Sequence, residues 1–190
     1  MAGKKTVGVL ALQGDFEAHE RALERAGAQA VAVRTAEQLK AVDALIIPGG
    51  ESTTMLKLLD RENILEPLTE FGREKPIFGT CAGAILIASH VLNPEQRSLG
   101  LMDITVERNA YGRQLDSHIA KIHSGGENGD LEAVFIRAPI IREVGPLAHV
   151  LAYHKNDPVL VEQGRHMAAT FHPELTLDPR IHRMFLDKVK

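Results

Sequence analysis

The chain of 190 residues has a single cysteine, a net charge of only −3 and no apolar run of the roughly 18 residues that a membrane span requires. Each shortage excludes something. One cysteine rules out an internal disulfide and fits a reducing compartment, so a cytoplasmic protein is expected. The basic residues are scattered among acidic ones, which leaves no electrostatic footprint for nucleic acid or an anionic membrane. Lys4-Lys5 before Val7–Leu12 looks like the opening of a signal peptide, but Gln13-Gly14-Asp15 interrupts the run and no cleavage pattern follows. The nine histidines show no paired metal-site spacing, and one thiol cannot build a thiolate cage, so no metal or cofactor is expected.

With 44% hydrophobic residues, the length suits one globular domain, residues 1–190, better than two small ones. Val7–Leu12 reads as a buried strand and Asp15–Ala26 as a helix with Phe16, Leu23 and Ala26 on its inner face. Strands follow at Ala30–Val33 and Asp43–Ile47, then helical sequence at Ser52–Leu59 and up to Phe71, then the Ile77-Phe78 strand. These βα units imply a parallel sheet covered on both faces, with ligands beyond the strands' carboxyl ends. Six short strand candidates follow: Asp103–Arg108, Leu115–Ile122, Ala133–Arg137, Leu147–Tyr153, Pro158–Glu162 and His166–Phe171. They predict an antiparallel extension of that sheet, with Gly125–Asp130 as a surface turn and Pro179–Val189 as a closing helix.

Cys81 sits where the Ile77-Phe78 strand runs through Gly79-Thr80 into Ala82-Gly83-Ala84. A thiol at the start of a helix is favoured as thiolate by unpaired N–H groups, and Gly79 and Gly83 permit a sharp strand-to-helix turn. The alternative is a buried structural cysteine. In His172-Pro173-Glu174, residues two apart on an extended backbone point the same way, so the carboxylate can orient the imidazole as a base. The alternative there is a surface turn. Pro48-Gly49-Gly50-Glu51-Ser52-Thr53 offers glycine amides for an oxyanion, with Gly50 and Ala82 as the donor pair. A phosphate loop, or a plain turn capped by Ser52 or Thr53, are the alternatives.

Gly79–Gly83, Pro48–Thr53 and His172–Glu174, in this order, resemble the class I (triad) glutamine amidotransferases. Five further segments make the chain similar, more narrowly, to the glutaminase-subunit family of pyridoxal 5′-phosphate synthase: Leu12–Phe16, Gly49–Thr54, Val106–Gln114, Phe135–Pro139 and Phe171–Thr176. The resemblance implies a three-layer, flavodoxin-like α/β fold and hydrolysis of L-glutamine to glutamate and ammonia. The ammonia would pass to a synthase subunit in a large hetero-oligomer. By position, the resemblance makes Cys81 the nucleophile, His172 the general base and then acid, and Glu174 its orienter. It places Gly49, Gly50, Glu51, Arg108, Ile136 and Arg137 at glutamine-binding positions, and an arginine with a carboxylate suits a zwitterionic substrate. One departure is His118, which stands where that family usually has phenylalanine. The rival readings are another class I amidotransferase, a γ-glutamyl hydrolase, and a non-catalytic flavodoxin-like binding module.

Overall fold

The structure, a computed structural model, describes residues 4–110, 117–124 and 129–190. The strands β1 (Thr6–Leu10), β2 (Gln29–Val33), β3 (Ala44–Ile47) and β4 (Ile77–Thr80) form a parallel block, paired in the order β2-β1-β3-β4. The helices between them are α1 (Phe16–Ala26), α2 (Ala36–Lys40), α3 (Ser52–Arg61) and α4 (Leu65–Glu74). Next come α5 (Ala82–Ile87), β5 (Ala88–Leu92) and β6 (Met102–Glu107), followed by β7 (Ser117–Ser124), β8 (Asp130–Ile136) and β9 (Ile140–Val144). The chain ends with β10 (His149–His154), β11 (Asp157–Gln163), β12 (His166–Ala169), a 3₁₀ turn at Pro173–Leu175 and α6 (Arg180–Leu186).

The parallel block reads as continuous apolar sequence because both of its faces are buried. Alternate side chains enter two separate cores. Val7, Val9, Ala44, Ile46, Phe78 and Met167 pack with Leu23 of α1 and Phe185 of α6. Leu10, Leu45, Ile47, Ile77 and Ala168 face Leu39, Met55, Leu68 and Ile85 of α2 to α5. This is the three-layer α/β fold. Phe78 and Phe185, both fully buried with ring centroids 5.5 Å apart, each contribute about 1.5–3 kcal/mol by burial alone.

The second half departs from expectation in two ways. His166–Ala169 is not antiparallel to what precedes it in the sheet: β12 pairs parallel with β4, and only from β11 outward, through β10, β7 and β8, do the strands alternate in direction. The strand expected at Asp103–Arg108 does not join the extension at all. As β6 it pairs with β5 and β9 in a separate three-stranded sheet that adds to the core of α2 to α5. Neither β5 nor β9 is anticipated in the sequence, because β5 follows α5 without a break and β9 is a five-residue run beside Pro139. The helix α2 also escapes the apolar period, being only five residues long, although Thr35-x-x-Gln38 carries a capping signal and the Gln38 N–H does donate to Thr35 Oγ1. Residues 111–114 of the Val106–Gln114 segment, the Leu115 start of the β7 strand and residues 125–128 of the expected surface turn lie outside the described residues.

Candidate active site

Four strands of the central sheet end at one place. The carboxyl end of β1 leads to Gln13 and Gly14, that of β3 to Gly49 and Gly50, that of β4 to Cys81, and that of β12 to His172. A cavity of about 520 Å³ lies there, lined by Gly49, Gly50, Glu51, Cys81, Ala82, Arg108, Ile136, Arg137 and His172 among others. Every residue that the resemblance assigns to catalysis, glutamine binding or the oxyanion donors is therefore at this cavity except Glu174, which stands behind His172.

Cys81 occupies a sharp turn with φ +52° and ψ −107°, a sparsely populated region that costs a non-glycine residue about 1–3 kcal/mol. Tight neighbours maintain it. A Cβ on Gly83 would come within 2.0 Å of the Ile47 carbonyl oxygen, and one on Gly79 within 2.4 Å of the Gly83 oxygen, so only glycine lets α5 start this close to β3 and β4. The Cys81 N–H donates to the Ala169 carbonyl at 2.8 Å, tying the nucleophile candidate to β12. Its sulfur faces the Ile136 carbonyl at 4.0 Å.

His172 and Glu174 do touch, at 2.6 Å between Nδ1 and Oε1, but not for the reason the extended reading gave. Pro173–Leu175 is a 3₁₀ turn, and that turn folds the carboxylate back onto the ring. Burial would lower the pKa of His172, yet its hydrogen bonds to Cys81 and Glu174 outweigh that and push it up to about 10. Glu174, buried as well, is held below the usual carboxylate range by the facing His19 and the bonded His172.

Glu51 caps α3. Its side chain accepts the Thr53 and Thr54 N–H groups at 3.0 and 2.8 Å, so the turn is capped by Glu51 and not by Ser52 or Thr53. These bonds outweigh the effect of desolvation and bring its pKa down to about 2. Arg108, with only 12% of its side chain exposed, donates to Thr53 Oγ1 at 2.7 Å and reaches Glu51 Oε1 at 3.4 Å. Arg137 adopts φ +43° at the end of β8.

The structure adds partners that the sequence reading left without a role. Gln13 Oε1 accepts the Glu51 N–H at 3.0 Å and so props the Gly49-Gly50 loop. His19, on the inner face of α1 and wholly buried, lies 3.3 Å from Glu174 Oε2. A signal for it exists: position 19 falls three residues after Phe16 and four before Leu23, a titratable residue on an apolar stripe. His118 is outside the cavity lining and stacks on Phe135, ring centroids 5.0 Å apart and 16° from parallel. Among the described residues no group of three or more His, Cys, Asp or Glu side chains could hold a metal ion, and no helix is long and apolar enough to cross a membrane.

Comparison with known proteins follows the same lines. The family model described as the SNO glutamine amidotransferase family matches residues 9–190. A protein of Solibacter usitatus named pyridoxal 5′-phosphate synthase subunit PdxT is 62% identical over 191 residues, which covers 97% of this chain and 100% of that protein. A protein of the same name from Thermotoga neapolitana is 50% identical, covering 97% of this chain and 99% of that one. The crystal structure of a glutamine amidotransferase superposes with a TM-score of 0.90 at 48% identity, covering 96% of this chain and 98% of the other. PurLQS from Thermotoga maritima, at 17% identity and a TM-score of 0.78, shares the fold.

Proposed function

Because the chain belongs to the SNO glutamine amidotransferase family, we infer that it hydrolyses L-glutamine to L-glutamate and ammonia and supplies the ammonia to the synthase subunit of pyridoxal 5′-phosphate synthase. The observation that carries the chemical reading is the 2.6 Å bond between His172 Nδ1 and Glu174 Oε1, with the Cys81 thiol and the same imidazole lining one cavity.

His172 takes the thiol proton of Cys81 as the sulfur attacks the side-chain amide carbon of glutamine. The carbonyl oxygen becomes an oxyanion between the Gly50 and Ala82 N–H groups. An imidazolium at His172 is the acid that the departing amine needs, so the C–N bond breaks as the proton moves to nitrogen and ammonia leaves a glutamyl thioester. His172, now neutral, takes a proton from water as the water attacks the thioester. Glutamate leaves and the thiol is restored. Glu174 keeps the Nδ1 proton in place, so that Nε2 is the nitrogen that cycles. At the other end of the substrate, Arg108 faces the α-carboxylate, while Glu51 and the Ile136-Arg137 backbone bracket the α-ammonium. All of this lies within one glutaminase domain, residues 1–190, acting in the cytoplasm inside a hetero-oligomer with the synthase.

The test is ammonia release from glutamine, measured with and without the synthase subunit. Release must require Cys81: the Cys81→Ala variant is expected to bind the synthase and release no ammonia. Undiminished turnover by that variant ends the assignment.

A further inference from the structure

Behind the catalytic pair lies a row of buried side chains that the reaction, as written, does not use. His19 of α1, His182 of α6 and Thr80 of β4 are each no more than 1% exposed. His19 Nε2 lies 3.1 Å from Thr80 Oγ1 and 3.3 Å from Glu174 Oε2. Its hydrogen bond runs to the hydroxyl, and Oε2, in charge contact with the same nitrogen, has no hydrogen-bond partner. On the far side, His19 Nδ1 is 3.1 Å from His182 Nε2. An atom facing a carboxylate oxygen and a hydroxyl oxygen at once is the donor nitrogen. That assignment makes His19 Nδ1 an acceptor and His182 Nε2–H its donor. It also leaves His182 Nδ1 as a bare lone pair, and that atom is indeed buried and unpartnered. Burial pushes the pKa of both histidines down, that of His182 to about 3, so both are neutral near pH 7 and the row acts through N–H dipoles.

Resting on the glutaminase reading above, we propose that His19 is a positioning residue that fastens the unused oxygen of Glu174 to the strand end carrying Cys81, with His182 fixing the tautomer that does so. Thr80 immediately precedes the nucleophile, and Glu174 belongs to the turn that carries the base. One imidazole therefore touches both halves of the site, which the chain supplies from positions 80 and 174. Without it, Glu174 keeps its bond to His172 through one oxygen while the other faces an empty buried pocket. The carboxylate then turns about its last torsion and the imidazole loses its aim.

The groups that act on Glu174 are His172 from its own turn and His19 from α1. Behind them, His182 of α6 faces His19, while Asp15 and Arg25, at the two ends of α1, act on the histidine pair. The strand β8 meets the turn through the Val134 carbonyl, which accepts the His172 N–H. Removing His19 takes away the first stabilising contact of the Glu174 carboxylate and leaves burial, which favours its protonated form.

The experiment uses the full chain with its synthase subunit and compares wild type, His19→Leu, His19→Gln and His182→Leu. In His19→Leu, kcat is expected to fall about 10- to 100-fold, the usual loss when an outer partner that orients a functional histidine is removed, with KM within threefold. The acid limb of the kcat–pH profile should move to higher pH, because the carboxylate now takes up its proton earlier. His19→Gln, whose amide donates to Glu174 and accepts from His182, should return kcat to within about threefold and restore the limb. His182→Leu should move the limb in the same direction by less. A loss of kcat with an unmoved acid limb, or no loss, overturns the proposal. Should His19→Leu fail to fold, an unmoved limb in His182→Leu does the same. Absence of glutaminase activity in wild type would instead refute the underlying reading.

Discussion

Adding one methyl group at Gly49 tests the site's geometry directly. Gly49 does not have a positive φ, so alanine can adopt its backbone without strain. The added Cβ, however, would lie 2.5 Å from His172 Cε1 and 3.4 Å from Cys81 Cβ. Carbon atoms rest at about 3.5 Å or more, so the ring must shift by about 1 Å from the place its 2.6 Å bond to Glu174 gives it. A misplacement of 1 Å costs about 100-fold in rate, or about 2.7 kcal/mol of transition-state stabilisation. Because the methyl presses on a buried ring, thermal stability should fall too, by about 1–3 kcal/mol. Steady-state kinetics in the presence of the synthase should show the loss in kcat, with KM for glutamine changed less than threefold. A kcat within threefold of wild type, or a loss confined to KM, would refute the placement of His172 against Gly49.

Arg108→Gln removes a charged donor from the glutamine end of the cavity and should raise KM about 10- to 100-fold with little change in kcat, as read from initial rates against glutamine concentration. A kcat effect alone would move Arg108 from binding to the chemical step. His166, far from the thiol, accepts the Ile77 N–H at 3.2 Å, and burial lowers its pKa from 6.5 to about 4. The unfolded chain therefore binds a proton between pH 6.5 and 4 that the native state refuses. Stability from this group is complete above pH 6.5 and falls, by up to about 3 kcal/mol, as the pH drops to about 4. His166→Gln should flatten that part of the curve of Tm against pH, and an unchanged curve would contradict the assignment.

What could be read from the sequence depended on whether the signal was local. The runs at 44–47 and 77–78 announce themselves because strands buried on both faces are apolar at every position, and the glycines around Cys81 mark a turn by their own chemistry. His172-Pro173-Glu174 is correctly paired, although the 3₁₀ turn that pairs it differs from the extended geometry expected. The separate sheet of β5, β6 and β9 could not be read, since its strands are short and β6 finds β9 across β7 and β8. The contact of His19 with Glu174 spans 155 positions, and nothing near residue 19 encodes it except a histidine on an apolar stripe. Glu51 shows the opposite case, a residue noted for its charge whose carboxylate is already engaged as a helix cap.

The position of β12 bears on synthesis as much as on catalysis. It is the last strand to be made, yet it lies between β4 and β11 near the middle of a nine-stranded sheet. Until it emerges from the ribosome, the nascent chain holds two partial sheets with bare facing edges, the kind of exposed template that invites aggregation. The cavity waits on the same step, because the thiol at position 81 has no imidazole beside it until the closing strand slots in and brings His172. Completion of the sheet and assembly of the cavity are one event.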